Sequence, residues 1–156
     1  MIRIGLISDT HGLLRPEALS VLRGSDFIVH AGDIGEDVLE PLATMAPVVA
    51  VRGNNDRAPW ARAIPETETL RFGEVTLHAL HDLSDLAIDP GAAGVGVVVH
   101  GHSHKPKIER RSGVLFVNPG SAGPVRFRLP VSIGLLQVTG KVATARIVEL
   151  ESLRVA

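Results

Sequence analysis

Two histidines stand one residue apart in G-H-S-H, His102 and His104, directly after a run of valines at residues 95–99. Histidine is the commonest metal ligand among side chains. If the segment stays extended the two rings share a side; if it turns, Gly101 and Ser103 permit the bend. Either way two ring nitrogens can face one metal cluster. An isolated pair of this kind is more often two ordinary polar residues, so the remainder of the chain decides. Five further polar clusters each close a short apolar run: Asp9 and His11, Asp33, Asn54 and Asp56, His81 and Asp82, Asn118 and Ser121. Any one of them fits a plain turn, since Asp, Asn and Gly are turn formers. If the strands are neighbours, six in succession put three or more imidazoles and two or more carboxylates in one crevice. Uncompensated polar groups are costly to crowd there, and two divalent cations would resolve the crowding.

The elements that must position these residues follow from the apolar pattern. The valine run has little alternation, which predicts a strand buried on both faces, as in a parallel sheet covered by helices. Open α/β sheets bind ligands beyond the carboxyl ends of their strands, where the clusters fall. Apolar runs at 2–8, 27–31 and 48–51 alternate with helical spacing at 15–23, with Pro16 in its first turn and Gly24 as a stop, and at 36–45, where Pro41 predicts a short or bent helix. This β-α-β-α-β order implies parallel strands. Residues 67–71 and 74–80 flank Phe72-Gly73, and 132–138 and 142–150 surround Thr139-Gly140; both pairs predict antiparallel hairpins. A further strand is expected at 114–117, and only a short helix at 83–94, which contains Pro90.

Composition narrows the possibilities. With 156 residues, 45% of them hydrophobic, and no repeat or linker, the chain is expected to form one domain over 1–156. The formal charge is -1 with no basic run, so no extended nucleic-acid surface is expected. The absence of cysteine excludes a disulfide framework, a thiolate zinc site and a cysteine nucleophile. The sequence enters its first strand without a signal core, and no apolar run reaches membrane-spanning length; a cytoplasmic protein with no membrane partner is expected.

Taken in order, D-T-H-G, G-D, G-N-N-D, H-D, G-H-S-H and N-P-G-S resemble the calcineurin-like metallophosphoesterases, specifically the small single-domain prokaryotic phosphodiesterase branch. The resemblance implies a four-layer α/β/β/α sandwich and two metal ions. By position, it implies that Asp9, His11 and His104 hold one ion, that Asn54, His81 and His102 hold the other, and that Asp33 bridges them. A mixed nitrogen and oxygen set suits Mn, Fe, Zn or Ni better than Mg or Ca; manganese is the expected metal. Two such ions at roughly 3.5–4 Å clamp a phosphoryl group, and the bridging water, with its pKa lowered toward about 7, is the nucleophile for in-line attack. Asp33, Asn54 and Asn55 are the expected catalytic residues.

The chain departs from the resembled pattern twice. Many members carry a histidine after the metal-binding asparagine, where it helps protonate the leaving group; here that residue is Asn55. Asparagine orients a phosphate oxygen but transfers no proton at neutral pH, so activated diesters are expected over alkyl monoesters. The second departure is Asp82, where glycine is usual, and it is read as a loop disturbance or as support for a ligand. Arg126, after N-P-G-S, is a candidate for neutralising a phosphate oxygen, although Arg128 lies two residues away and an ordinary solvated arginine fits as well. His30 and His78 read as packed, hydrogen-bonded histidines, His100 as support around the metal pair, Asn118 as a hydrogen-bonding support, Asp56 as a loop anchor, and Trp60 as a packing or interface residue.

The expected partner is a small phosphate ester, and a homo-oligomer is compatible with the resemblance. The rival reading is a noncatalytic metal-binding or protein-interaction scaffold of the same fold, like the eukaryotic retromer subunit. An amidohydrolase barrel, which also uses His-x-His, needs about 250 residues, more than this chain has. A dinucleotide site at residues 91–96 is excluded because the glycines precede their strand.

Overall fold

In the computed structural model, which describes residues 1–150, two five-stranded sheets face each other. The last six residues of the single domain expected over 1–156 lie outside the described residues. The first sheet holds β1 (Ile2–Ile7), β2 (Phe27–His30), β3 (Val48–Ala50), β9 (Ser132–Thr139) and β10 (Val142–Glu149), in the spatial order β10-β9-β1-β2-β3. The second holds β4 (Thr67–Phe72), β5 (Val75–Leu80), β6 (Val97–Val99), β7 (Lys107–Arg111) and β8 (Val114–Asn118), in the order β4-β5-β6-β8-β7. Strands β1, β2 and β3 run parallel, as do β5, β6 and β8; both predicted hairpins, β4/β5 and β9/β10, are antiparallel.

Side-chain alternation explains the layers. Ile4 and Leu6 of β1 meet Leu77, Val97, Val99 and Val117 between the sheets. Ile7 and Ile28 turn the other way and pack on Ala18 and Leu22 of α1 (Pro16–Leu22) and Leu42 of α2 (Leu39–Ala43). In β6, Val97 and Val99 face the inter-sheet core, whereas Val98 packs on the outer face with Leu80 and Phe116 under Leu83 and Leu86. All three valines are buried, as a strand covered on both faces requires. The fold is the four-layer α/β/β/α sandwich, with the layer over the second sheet reduced to a loop and one 3-10 turn, Leu83–Asp85.

Two elements differ from the expected pattern. The second helix covers only five residues: Pro41 lacks an N–H, and the chain tightens at once into i→i+3 bonds from Thr44 to Pro41 and from Met45 to Leu42. Strand β7, K-I-E-R-R, was not expected. It is an edge strand exposed on both faces apart from the half-buried Glu109, so it shows no apolar alternation, and it pairs with β8 through its backbone. Among the described residues, no helix is long and apolar enough to cross a membrane.

Candidate metal centre

The parallel strands of both sheets deliver their carboxyl ends to one edge of the sandwich, so Asp9, Asp33, His81, His102 and His104 meet although they are distant in sequence. Their geometry starts with Asp9. Its Oδ2 accepts hydrogen bonds from the Ser8 hydroxyl at 2.7 Å and the His102 backbone N–H at 3.1 Å, while Oδ1 has no hydrogen-bond partner. Around Oδ1 stand the Nε2 atoms of His104 at 3.4 Å, His81 at 3.8 Å and His11 at 3.9 Å. Asp33 is held from one side: its Oδ1 and Oδ2 accept from the backbone N–H and the Nδ2 of Asn55 at 2.9 and 3.0 Å. Its Oδ2 also faces His81 Nε2 at 3.2 Å and His11 Nε2 at 3.8 Å, one histidine from each half of the site.

The tautomer of His81 follows from its bonds. Its Nδ1 lies 2.7 Å from the Ala31 carbonyl, an acceptor only, so Nδ1 carries the proton and Nε2 turns a lone pair toward two carboxylates. Such a bond to the outer nitrogen is what orients a metal-binding histidine. Among the described residues, four buried side-chain polar atoms have no hydrogen-bond partner: Asp9 Oδ1, His11 Nε2, His81 Nε2 and His104 Nδ1. Acceptors crowded together in this way require a proton or a cation between them. Protons compete for the place: burial lowers the His81 pKa, but contact with Asp33 and the charges of Asp9 and Asp33 raise it and prevail. Burial raises the Asp33 pKa, but His81 and the two Asn55 bonds bring it well below the usual carboxylate range. The ligand atoms of Asp9, His11 and His104 lie within 4.8 Å of one another, as do those of Asp33, His81 and His102. Two clusters of imidazole and carboxylate fit two divalent transition-metal ions.

The backbone is bent to serve this arrangement. Asp9, His11, Asp33, His102 and His104 have φ of 55°, 47°, 54°, 72° and 63°, in the left-handed region that side chains other than glycine avoid. Glycines let the loops close in. A Cβ on Gly53 would strike the backbone N and side chain of Asp33, and one on Gly101 would strike Ser8 and Asp9. Buried side chains fix the loops to each other. Asp56 accepts from the N–H groups of Ile34 and Gly35 at 3.0 and 3.2 Å and of Gly53 at 2.9 Å. Asn118 Nδ2 donates to the Gly101 carbonyl and to Ser103 Oγ, both at 3.1 Å.

Of the residues singled out in the sequence, Asn54 is exposed and shares with His81, Asp82 and Arg52 the wall of a cleft of about 510 Å³. Asn55 turns its amide onto Asp33. Arg126 is exposed, and its charge, after burial, adds to the lowering of the His104 pKa. His30 lies outside both clusters: Gly32 N–H donates to its Nδ1 at 3.1 Å, so its Nε2–H donates to Thr10 Oγ1 at 2.9 Å, and Thr10 donates to the Ile34 carbonyl at 2.6 Å. His78 bonds Thr69 at 2.7 Å. His100 is lowered to about 4, by burial first and then by Arg111 and Lys107, and so sits among the cations of β7. Trp60 packs on the helical side of the first sheet. The sequence reading passed over Ser8, whose hydroxyl leaves only one Asp9 oxygen bare; a serine before an aspartate carries no signal of its own.

A profile of the calcineurin-like phosphoesterase superfamily domain matches residues 2–141. A probable metallophosphoesterase of Methanothermobacter thermautotrophicus is 35% identical, over 93% of this chain and 91% of its own. Phosphodiesterase YfcE of Escherichia coli K12 is 28% identical, over 87% of this chain and 88% of its own. The crystal structure of wild-type Vps29 of Entamoeba histolytica in complex with zinc shares the fold, with a TM-score of 0.74 at 23% identity over 96% of this chain and 99% of that one. From its profile match and its relatives, this chain belongs to the calcineurin-like phosphoesterase superfamily.

Proposed function

We propose that the protein is a phosphodiesterase that hydrolyses a small phosphate diester with the help of two divalent transition-metal ions, manganese first among them. One observation carries the reading: two clusters of metal-binding side chains on adjoining strand ends, with three buried atoms that lack a hydrogen-bond partner, Asp9 Oδ1, His11 Nε2 and His81 Nε2, turned toward one another. When bound, the ions supply a water of lowered pKa and neutralise charge on the phosphoryl oxygens. Asp9, His11 and His104 would hold one ion and Asn54, His81 and His102 the other, with Asp33 facing histidines of both. The protein's own contribution is to keep His81 in one tautomer and Asp33 ionised. Asn55 offers no transferable proton, so the leaving group departs as its anion and low-pKa leaving groups are favoured. The cleft beside Asn54 and His81 has room for one arm of the ester, and Arg126 is exposed and free to meet a phosphate oxygen.

The test is hydrolysis of bis-p-nitrophenyl phosphate against p-nitrophenyl phosphate by metal-stripped protein reloaded with Mn, Ni, Zn or Mg. Metal-dependent diester cleavage exceeding monoester cleavage is expected. A second reading, a metal-binding interaction scaffold, draws on the likeness in fold to Vps29; tight metal binding without turnover of either ester would select it.

A further inference from the structure

The two histidines of the second cluster differ in how they are restrained. His81 is fixed by its bond to the Ala31 carbonyl. His102 has a side chain 46% exposed; its ring stands edge-on to the His81 ring at 5.2 Å between centroids, and its Nε2 lies 3.6 Å from Asp82 Oδ2. The backbone of His102 is pinned by its N–H to Asp9 and by its left-handed φ, but neither sets the rotation of the ring.

Asp82 is itself prepared. Its Oδ1 accepts both the backbone N–H of Ser84 at 3.0 Å and the Ser84 hydroxyl at 2.8 Å. This fixes the carboxylate plane and leaves Oδ2 toward His102. Asp82 is not one of the three residues whose ligand atoms converge in the second cluster, so its chemistry is directed at the ligand and not at the ion. Hydrogen bonds of this type lie at about 2.7–3.2 Å, within a small rotation of a half-exposed ring.

We infer that Asp82 is a positioning residue for the second ion: its Oδ2 accepts the Nε2–H of His102, and so presents the other ring nitrogen to the position shared with Asp33 and His81. The inference rests on the metal-centre reading. It adds a carboxylate–histidine–metal relay at a place where the resembled sequences usually carry glycine, which could not supply one. Partners of this kind set metal affinity by about 10–100-fold. The charge of Asp82 also favours a cation nearby, so removing it weakens the second ion and leaves the first, held by Asp9, His11 and His104, unchanged.

The test is calorimetric titration of the metal-stripped full chain with zinc, for wild type, Asp82→Asn and Asp82→Ala, together with ring-nitrogen NMR of the zinc-loaded proteins. Asp82→Asn keeps an acceptor for Ser84, so the loop stays capped. Wild type is expected to bind two ions, with an exchange-protected Nε2–H on His102. Both variants should lose about 10–100-fold in second-ion affinity, keep the first within twofold, and lose the protected proton. Second-ion affinity within twofold of wild type overturns the assignment. So does an equal loss at both ions, which would mark a loop fault, and so does a wild type that binds a single ion. If wild type loads two ions and cleaves no ester, the hydrolase reading falls while the assignment of Asp82 stands.

Discussion

The two halves of the metal centre contain similar side chains at different depths. In the first, the side chains of Asp9, His104 and His11 are 0%, 5% and 14% exposed; in the second, Asp33 and His81 are 4% and 5% exposed but His102 is 46% exposed. The first half is closed by bonds from both sheets, Ser8 on one side and the backbone of His102 on the other. The second depends on a loop clamp, Asp56, and on a histidine whose ring stands at the surface. On the proposed two-ion reading, the difference means that the first position would retain its ion and the second would leave it accessible. Each prediction below breaks or sharpens that contrast.

Asp33→Asn should do the most damage, because Asp33 faces histidines of both halves. Several kcal/mol of charge stabilisation depend on the ions, so diester turnover should fall by about a thousandfold or more with both ions weakened in a metal-binding isotherm. Full occupancy and rate in this variant would exclude a shared role for Asp33. Asp56→Ala strips the N–H groups of Ile34, Gly35 and Gly53 of their acceptor. At about 1–3 kcal/mol for each buried unsatisfied group, partly relieved by water, we expect a loss of about 3 kcal/mol in urea unfolding and loss of the second ion before the first. Simultaneous release of both ions would show that the halves are not independent.

His102→Ala removes a proposed ligand and not its support, so it should lower second-ion affinity by more than the roughly 10–100-fold expected of a supporting residue, and His104→Ala should instead affect the first; metal content after gel filtration distinguishes them. The last effect is nil at neutral pH and develops only in acid. His30 is fully buried, and its pKa is lowered to about 3, by burial first and then by the charge of His81. The unfolded chain therefore takes up a proton near pH 6.5 that the native state refuses until about pH 3. The resulting stability is complete above 6.5 and is lost as the pH falls through this window, by up to about 1.4 kcal/mol per pH unit. In chelator, His30→Gln should flatten the stability profile between those values by about one proton; an unchanged slope would show that another group causes it.

Much of the cluster could be read from the chain because residue types able to bind a metal stand at strand ends. Asp9, His11, Asp33, His81, His102 and His104 all converge in the structure as their positions after apolar runs suggested. What could not be read is backbone conformation. No pattern of side chains announces that five of those six residues sit at positive φ, since the strain is imposed by loops that close on one another only in three dimensions. Asp56 was legible as a loop anchor but its partners were not, since it accepts from backbone N–H groups of a segment about twenty residues away, and the hydroxyl bond from Ser8 to its neighbour Asp9 depends on a rotamer that no residue pattern announces. Strand β7 was illegible because an exposed edge strand needs no apolar period. The short second helix was half legible, through Pro41.

The placement of Asp9 and His11 on the first sheet and His104 on the second has a mechanical consequence. An ion held by these three is a rivet through the sandwich, closing a chain loop of roughly ninety residues between His11 and His104. Such a rivet would resist melting by an amount that grows with the logarithm of free metal over its dissociation constant, about 4 kcal/mol at a thousandfold excess. The melting temperature of this protein therefore reports how well each metal fits, without any substrate at all.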